Sequence, residues 1–252
     1  MEIALRIETE RLLLEGKETI KRRVARLNWA GIRDSLGDRG FATLPPLLSD
    51  SECASLIDLY GHREYFRSRV DMERFRFGVG EYKYFAAPVP PLVSELRGAL
   101  YPRVAPIANE WLEVMGVAKP FPAAFDDFLA ICRRNGQAKP TPLILRYETG
   151  GYNCMHQDLY GDIVFPLQFT FILSRPAADY EGGEFLLLEQ RPRAQSKCEA
   201  ISLRQGEAIV FPTRHRPVRG VRGYYRVNLR HGVSRIHRGR RFALGIIFHE
   251  AR

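Results

Sequence analysis

The chain has 252 residues, 45% hydrophobic and 27% charged, with a formal net charge of +9 and an isoelectric point near 9.6. This length accommodates one large domain or two small ones and buries enough surface to be stable without disulfides. The composition is that of a globular protein and no apolar run is long enough to cross a bilayer, which excludes disordered and helical membrane-spanning classes.

Met1 to Arg11 mixes Glu2, Arg6, Glu8 and Glu10 into its apolar residues, so no secretory leader is expected there. From about Glu18 to Leu36 the spacing of Ile20, Val24, Leu27 and Ile32 predicts an amphipathic helix, ended by Gly37 to Gly40. Phe41 to Leu44 reads as a short strand stopped by Pro45-Pro46. Ser49 with Glu52 has the pattern of a capping box and opens a helix carrying Cys53, Leu56, Ile57 and Tyr60. Between Tyr65 and Phe85, aromatics such as Phe66, Phe75 and Phe77 interleave with Arg67, Arg69, Arg74 and Arg76. Such a pattern can stack on bases and touch phosphates, but the preferred reading is a pair of strands packed on the core. Gly78-Val79-Gly80 lacks the third glycine and the strand–helix context of a nucleotide loop.

Pro90 to Gly116 predicts helix, with Leu92, Leu96, Leu100, Val104, Ile107 and Trp111 as its apolar face and a division at Pro102 and Pro106. A further helix is expected over Ala123 to Arg134. Gly136 to Pro142 is a breaker-rich loop where the texture changes. Beyond it come eight short strand candidates: Leu143–Tyr147, Met155–Leu159, Val164–Leu173, Glu184–Glu189, Ala200–Leu203, Ala208–Phe211, Arg226–Arg230 and Arg241–His249. The fold class expected is α+β, a jelly-roll barrel (double-stranded β-helix) buttressed by the N-terminal helices. It forms a single domain over residues 1–252, with residues 1–139 as mainly helical support and 140–252 as the core.

Cys53, Cys132, Cys154 and Cys198 lack CxxC spacing and read as reduced thiols of a cytoplasmic protein, with Cys154 a small buried hydrophobe. His156 and Asp158 stand two residues apart after Gly150-Gly151, so on a strand they share a face and can meet one metal ion. Two imidazoles and one carboxylate with open positions form the ligand set of non-haem Fe(II) oxygenases, so a second, distant histidine is required. Arg214 to Arg241 contains ten arginines and no acidic residue. Arg214, Arg216, Arg219 and Arg222 are its candidate contacts to a polyanion, with nucleic acid placed slightly ahead of a small acidic substrate.

Four motifs in order are similar to the 2-oxoglutarate/Fe(II)-dependent dioxygenase superfamily in its prolyl-hydroxylase-like branch. They are Tyr147…Gly150-Gly151-Tyr152…His156-Gln157-Asp158, then Tyr180 to Phe185, then Gly206 to Pro212, and finally His231-Gly232-Val233…Arg240-Arg241-Phe242. The stretches Arg214 to Arg219 and Tyr224 to Ser234 more closely resemble a bacterial oxygenase family described as acting on damaged nucleic acid. The resemblance implies Fe(II) held by His156, Asp158 and His231, with 2-oxoglutarate and O2 in the remaining positions. Arg241, ten residues after the distal histidine, would hold the far carboxylate of 2-oxoglutarate, which suits a guanidinium fork. Tyr147 sits where the family often has a hydroxyl reaching 2-oxoglutarate, and Gln168 and Thr170, sharing one face of a strand, would add hydrogen bonds.

The strand supports Arg241: Arg241, Ala243, Gly245 and Ile247 fall on one face, small beyond the arginine, and bulky Phe242, Leu244, Ile246 and Phe248 on the other. Arg240 would point away. His215 is the competing third ligand, because His215…Pro217-Val218…Gly223…Arg226 imitates the same ending. His231 is preferred, with His215 in an inserted loop at the site mouth and His237 and His249 as surface histidines. The function expected is oxidative dealkylation of damaged nucleic acid by a monomer. The alternatives are hydroxylation of a protein side chain or small acid, and a non-catalytic nucleic-acid-binding barrel.

Overall fold

The computed structural model describes residues 18–117 and 119–252, so the expectation of no leader at Met1 to Arg11 lies outside the described residues. The first expected helix is two helices, α1 (Ile20–Ala25) and α2 (Trp29–Asp38). Asn28 causes the break: its side chain accepts from Gly31 N at 3.0 Å and serves as the cap of α2, where an asparagine is worth more than inside a helix. After β1 (Ala42–Leu44), the capping box of Ser49 and Glu52 opens α3 (Asp50–Leu59). Glu52 also takes a two-pronged contact from Arg23 of α1, at 2.7 and 2.5 Å.

Tyr65 to Phe85 contains the antiparallel pair β2 (Phe66–Asp71) and β4 (Glu81–Phe85), with a short helix α4 (Met72–Phe75) and strand β3 (Gly78–Val79) between them. Helix α5 (Pro91–Val114) runs without a break through Pro102 and Pro106, where a division was expected. Each interior proline costs about 3 kcal/mol. Leu96, Leu100, Tyr101, Val104, Ile107 and Trp111 are all buried on this helix, and large apolar side chains contribute about 1.5–3 kcal/mol apiece, so packing outweighs the two lost bonds. Helix α6 (Phe125–Arg134) follows.

The remaining strands are β5 (Leu143–Glu148), β6 (Tyr152–His156), β7 (Leu167–Ile172), β8 (Tyr180–Gly182), β9 (Phe185–Gln190), β10 (Lys197–Ile201), β11 (Ala208–Pro212), β12 (His215–Gly220), β13 (Gly223–Val233) and β14 (Ile236–Ile246). They form two antiparallel sheets. One has the order β1-β11-β7-β14-β5-β4-β2, with β8 on β14; the other is β10-β9-β13-β6-β3, with β12 on β13. Strand β14 alternates as its residues predict. Phe242, Leu244, Ile246 and the following Phe248 join the core shared with the helices, whereas Ala243 joins the core between the sheets with Tyr147, Ile172, Phe185 and Phe211. Among the described residues no helix is long and apolar enough to cross a membrane.

Four local expectations are corrected. His215 lies in strand β12, paired along its length with β13, not in a loop. Cys154 is exposed rather than buried, on the wall of an open cavity between Asn153 and Met155. Arg216, expected to meet a polyanion, is 1% exposed. Its guanidinium donates to Glu189 at 2.9 and 2.6 Å and to the carbonyl of Gly37 at 2.5 Å. His249 is fully buried rather than a surface histidine; its Nδ1 accepts from Phe165 N at 3.3 Å.

Burial pushes the His249 imidazole down to about 4, with Arg97 adding to the effect and Asp158 opposing it. Between about pH 6.5 and about pH 4 the unfolded chain therefore takes up a proton that the folded chain refuses, so stability falls with acid in that window. At pH 5 the loss from this group is about 2 kcal/mol. His249→Leu is expected to flatten the pH dependence by that amount in urea unfolding at pH 7.5 and pH 5; equal slopes for the two proteins would rule it out.

Candidate metal centre

Two strands of the smaller sheet place the histidines. His231 on β13 stands directly opposite His156 at the end of β6 in the antiparallel register, and their ring centroids are 4.2 Å apart. Asp158, two residues beyond the end of β6, reaches both rings. Its Oδ2 lies 3.2 Å from His231 Nε2 and its Oδ1 3.6 Å from His156 Nε2. One ligand atom from each of the three residues can be chosen so that all lie within 4.8 Å of one another. His156 Nδ1 lies 2.8 Å from the carbonyl of Cys154. That contact assigns the proton to Nδ1 and turns the Nε2 lone pair toward the cluster, as second-shell contacts of metal-bound histidines do.

The charges favour cation binding. Burial alone would raise the Asp158 carboxyl, but the His231 and His156 imidazoles and the Tyr160 hydroxyl outweigh it and hold the group well below the usual carboxylate range. Burial, and then His231, lower the His156 imidazole against the opposing pull of Asp158.

Sequence reasoning passed over Tyr160. Its hydroxyl donates to Asp158 Oδ1 at 2.7 Å and accepts from Tyr84 of β4 at 2.9 Å. The Asp–x–Tyr spacing was its available signal. Tyr160→Phe is expected to weaken metal binding about tenfold, the lower end for loss of an outer-shell hydrogen bond, without removing a ligand. Anaerobic Fe(II) titration checks it, and an unchanged affinity would show that the tyrosine does not orient Asp158.

The cluster lines a cavity of about 360 Å³ that Tyr147, Gln168, Thr170, Arg241, Ala243, Gly245 and Ile247 also line. All four residues of the expected inward face of β14 are thus on its wall. Much of the room beside Gly245 is filled by Leu143, whose Cδ2 would stand 2.7 Å from any added Cβ. Arg241 is 1% exposed, lies 5.8 and 5.9 Å from the ring centroids of Tyr147 and Tyr180, and has no hydrogen-bond partner at Nε or Nη1. Gly183 packs against it, since a Cβ there would stand 2.9 Å from Arg241 Cδ. Buried donors without partners are costly, and a buried guanidinium whose donors are incompletely paired suits an anionic ligand such as a carboxylate. The donor set therefore fits a metal ion at the triad and a small dicarboxylate reaching Arg241.

Tyr147 is fully buried, its hydroxyl accepting from Asn153 Nδ2 at 3.2 Å. Gln168 Nε2 has no partner. His215 is set apart from the cluster. It faces Asn228 across the β12–β13 pair, and burial, then Arg214 and Arg226, push it down to about 4. His237 is exposed on β14 and takes no part. Arg240 is exposed and pairs with Glu148 at 3.4 Å. Of the expected anion contacts, Arg214, Arg219 and Arg222 are exposed and carry no ion pair among the described residues, whereas Arg216 belongs to the core.

A family model described as "Oxygenase, catalysing oxidative methylation of damaged DNA" matches residues 80–251. Two uncharacterised proteins from strains of Mycobacterium tuberculosis are each 50% identical over 167 residues, covering 66% of this chain and 72% of theirs. A prolyl-4-hydroxylase of Pseudomonas putida superimposes with a TM-score of 0.52 at 14% identity, covering 89% of this chain and 99% of that one. A Trichoplax adhaerens prolyl hydroxylase, solved with a fragment of hypoxia inducible factor, gives 0.52 at 13% identity over 94% and 96% of the two chains. A Burkholderia pseudomallei protein of the 2OG-Fe(II) oxygenase family gives 0.50 at 14% identity over 90% and 93%. At these identities the structural likenesses establish a shared fold.

Proposed function

We propose that this chain, which belongs to the family of oxygenases described as catalysing oxidative methylation of damaged DNA, is an Fe(II)/2-oxoglutarate-dependent dioxygenase that oxidatively dealkylates damaged nucleic acid. The observation carrying the reading is that the His156–Asp158–His231 cluster and the unpaired nitrogens of Arg241 line the same cavity. Bound there, Fe(II) and 2-oxoglutarate would supply the oxidising chemistry, one atom of O2 going into succinate as CO2 is lost and the other into a substrate C–H bond. A hydroxylated N-alkyl carbon would then break its C–N bond, releasing an aldehyde and leaving the nitrogen protonated.

The residues divide the remaining work. His156 and His231, through Nε2, and Asp158, held ionised, would hold the metal. Arg241 would pair with the far carboxylate of the cosubstrate, and Tyr147, Gln168 and Thr170, which line the same cavity, would add hydrogen bonds. Phe185, Val233 and Ile247 give the cavity apolar walls that limit water. We read the two antiparallel sheets as the opposed sides of a double-stranded β-helix, with the helices packed on the larger.

Succinate formation, measured with Fe(II) across alkylated oligonucleotides and alkylated peptides, tests the reading. Turnover with oligonucleotides is expected; turnover with peptides alone would move the substrate to a protein side chain. The arginine block gives a second measurement. Arg219 and Arg222 flank the β12–β13 turn, exposed and without ion pairs among the described residues. The oligonucleotide affinity should fall steeply with salt, and replacing both by Gln should lower the slope by about 1.4 for a single strand, at about 0.7 per phosphate contact. Affinity insensitive to salt would remove the polyanion.

A further inference from the structure

Of the 15 phenylalanines in the chain, only Phe75 and Phe77 are exposed, at 51% and 47%. Their rings stack on each other, with centroids 5.6 Å apart and planes inclined by 22°. The guanidinium of Arg74 lies 5.8 Å from the Phe75 ring centroid. Arg76, between the two rings, ends α4 in the left-handed region at φ 60°. The pair is held firmly: Phe77 N donates to Met72 O at 2.9 Å, and Phe77 O accepts from Cys154 N at 2.8 Å. The second bond fixes Phe77 beside β6, the strand that carries His156. Beyond it, Gly78 packs so closely on β6 that a Cβ would meet the carbonyl of Tyr152 at 2.3 Å. Arg76 and Phe77 both line the cavity that holds the metal cluster.

A flat, solvent-facing apolar pair is costly where nothing covers it, and the core has no use for these two rings. Arg74 and Arg76 are exposed and carry no ion pair among the described residues. Stacked rings with free cations on the rim of a cavity suit a ligand that alternates flat π-faces with negative charge. That is the pattern of a single nucleic-acid strand, in which bases stack on aromatics and phosphates meet arginines. An acidic peptide would use the cations and leave the rings idle.

We propose that Phe75 and Phe77, with Arg74 and Arg76, form a stacking platform for an unpaired nucleotide adjoining the one whose base enters the cavity. The proposal rests on the nucleic-acid reading of the site. It implies that the substrate is single-stranded, or locally opened, where it meets the enzyme.

The test compares two labelled strands of equal length by fluorescence anisotropy, one with its bases and one with abasic residues, so that the phosphates are the same. The wild-type protein is expected to prefer the base-bearing strand by about tenfold, in the range of one aromatic–base stack. Phe75→Leu/Phe77→Leu keeps apolar bulk and should lose most of that preference while still binding both strands. Phe75→Leu alone, measured in the same way, should lose part of it and serves if the double variant does not fold. A variant with the wild-type preference would overturn the platform and leave the nucleic-acid reading standing. Wild-type protein that binds neither strand would overturn both. Self-association in sedimentation, abolished by the same substitutions, would assign the rings to a contact between copies and overturn the platform.

Discussion

His231→Ala is expected to abolish stoichiometric Fe(II) binding and 2-oxoglutarate decarboxylation together, whereas His215→Ala keeps both. Strand register separates the two histidines. Residues directly opposite in an antiparallel pair share a face, and neighbours along a strand alternate. His231 is opposite His156, so the two imidazoles meet on the inner side of the smaller sheet with Asp158 between them. His215 is opposite Asn228, and Asn228 is an odd number of positions from His231, so His215 belongs to the outward face. Loss of an outer hydrogen bond to a ligand costs about 10–100-fold in metal affinity, and loss of a ligand should exceed that. Asp158→Ala should match His231→Ala. Anaerobic titration of each variant and succinate formed without prime substrate are the two readouts. Retention of metal by His231→Ala with its loss in His215→Ala would move the ligand to His215 and the cosubstrate arginine to Arg226.

The comparison of these histidines shows what residue order can settle. The faces of β14 were legible because the run from Phe242 to Ile246 alternates between bulky and small residues, and alternation is a property of one strand. The capping box at Ser49 and Glu52 was legible because both its hydrogen bonds are local. Arg216 was not. It sits in the same arginine-rich run as Arg214 and Arg219, and charge count carries no sign of which guanidinium turns inward. What buries it is Glu189 on β9, distant in sequence and itself 7% exposed, together with the carbonyls of Gly37 and Asp38 at the end of α2. Pairing of that kind is decided only when the sheet assembles. Phe75 and Phe77 failed in the opposite direction. An aromatic stripe is usually core, and most of this one is, since Phe66 and Phe85 stack at 4.9 Å. The short helix α4 and the left-handed Arg76 take the other two rings out of the strand alternation that would have buried them.

Arg241→Met is expected to raise the 2-oxoglutarate requirement by about 30- to 1,000-fold, the equivalent of roughly 2–4 kcal/mol for a charge-assisted pair in a water-poor site. Metal binding should persist, because Arg241 is not part of the triad. The same substitution should have the opposite effect on the free protein. Without a carboxylate, Arg241 is a nearly fully buried cation with two unpartnered nitrogens, and a buried charge with incomplete pairing opposes folding. An apolar side chain of similar length removes that penalty, so Arg241→Met should unfold at a temperature equal to or above that of the wild type. Adding 2-oxoglutarate should then stabilise the wild type in proportion to the logarithm of its concentration over Kd and leave the variant almost unmoved. Arg241→Lys should recover part of the effect, since an ammonium supplies the charge without the two-pronged fork. Arg240→Ala is the control: its side chain is 60% exposed and its partner Glu148 56% exposed, and a surface pair of that kind contributes about 0–1 kcal/mol. A large loss of cosubstrate affinity in Arg240→Ala with a normal Arg241→Met would place the carboxylate on the other face of β14.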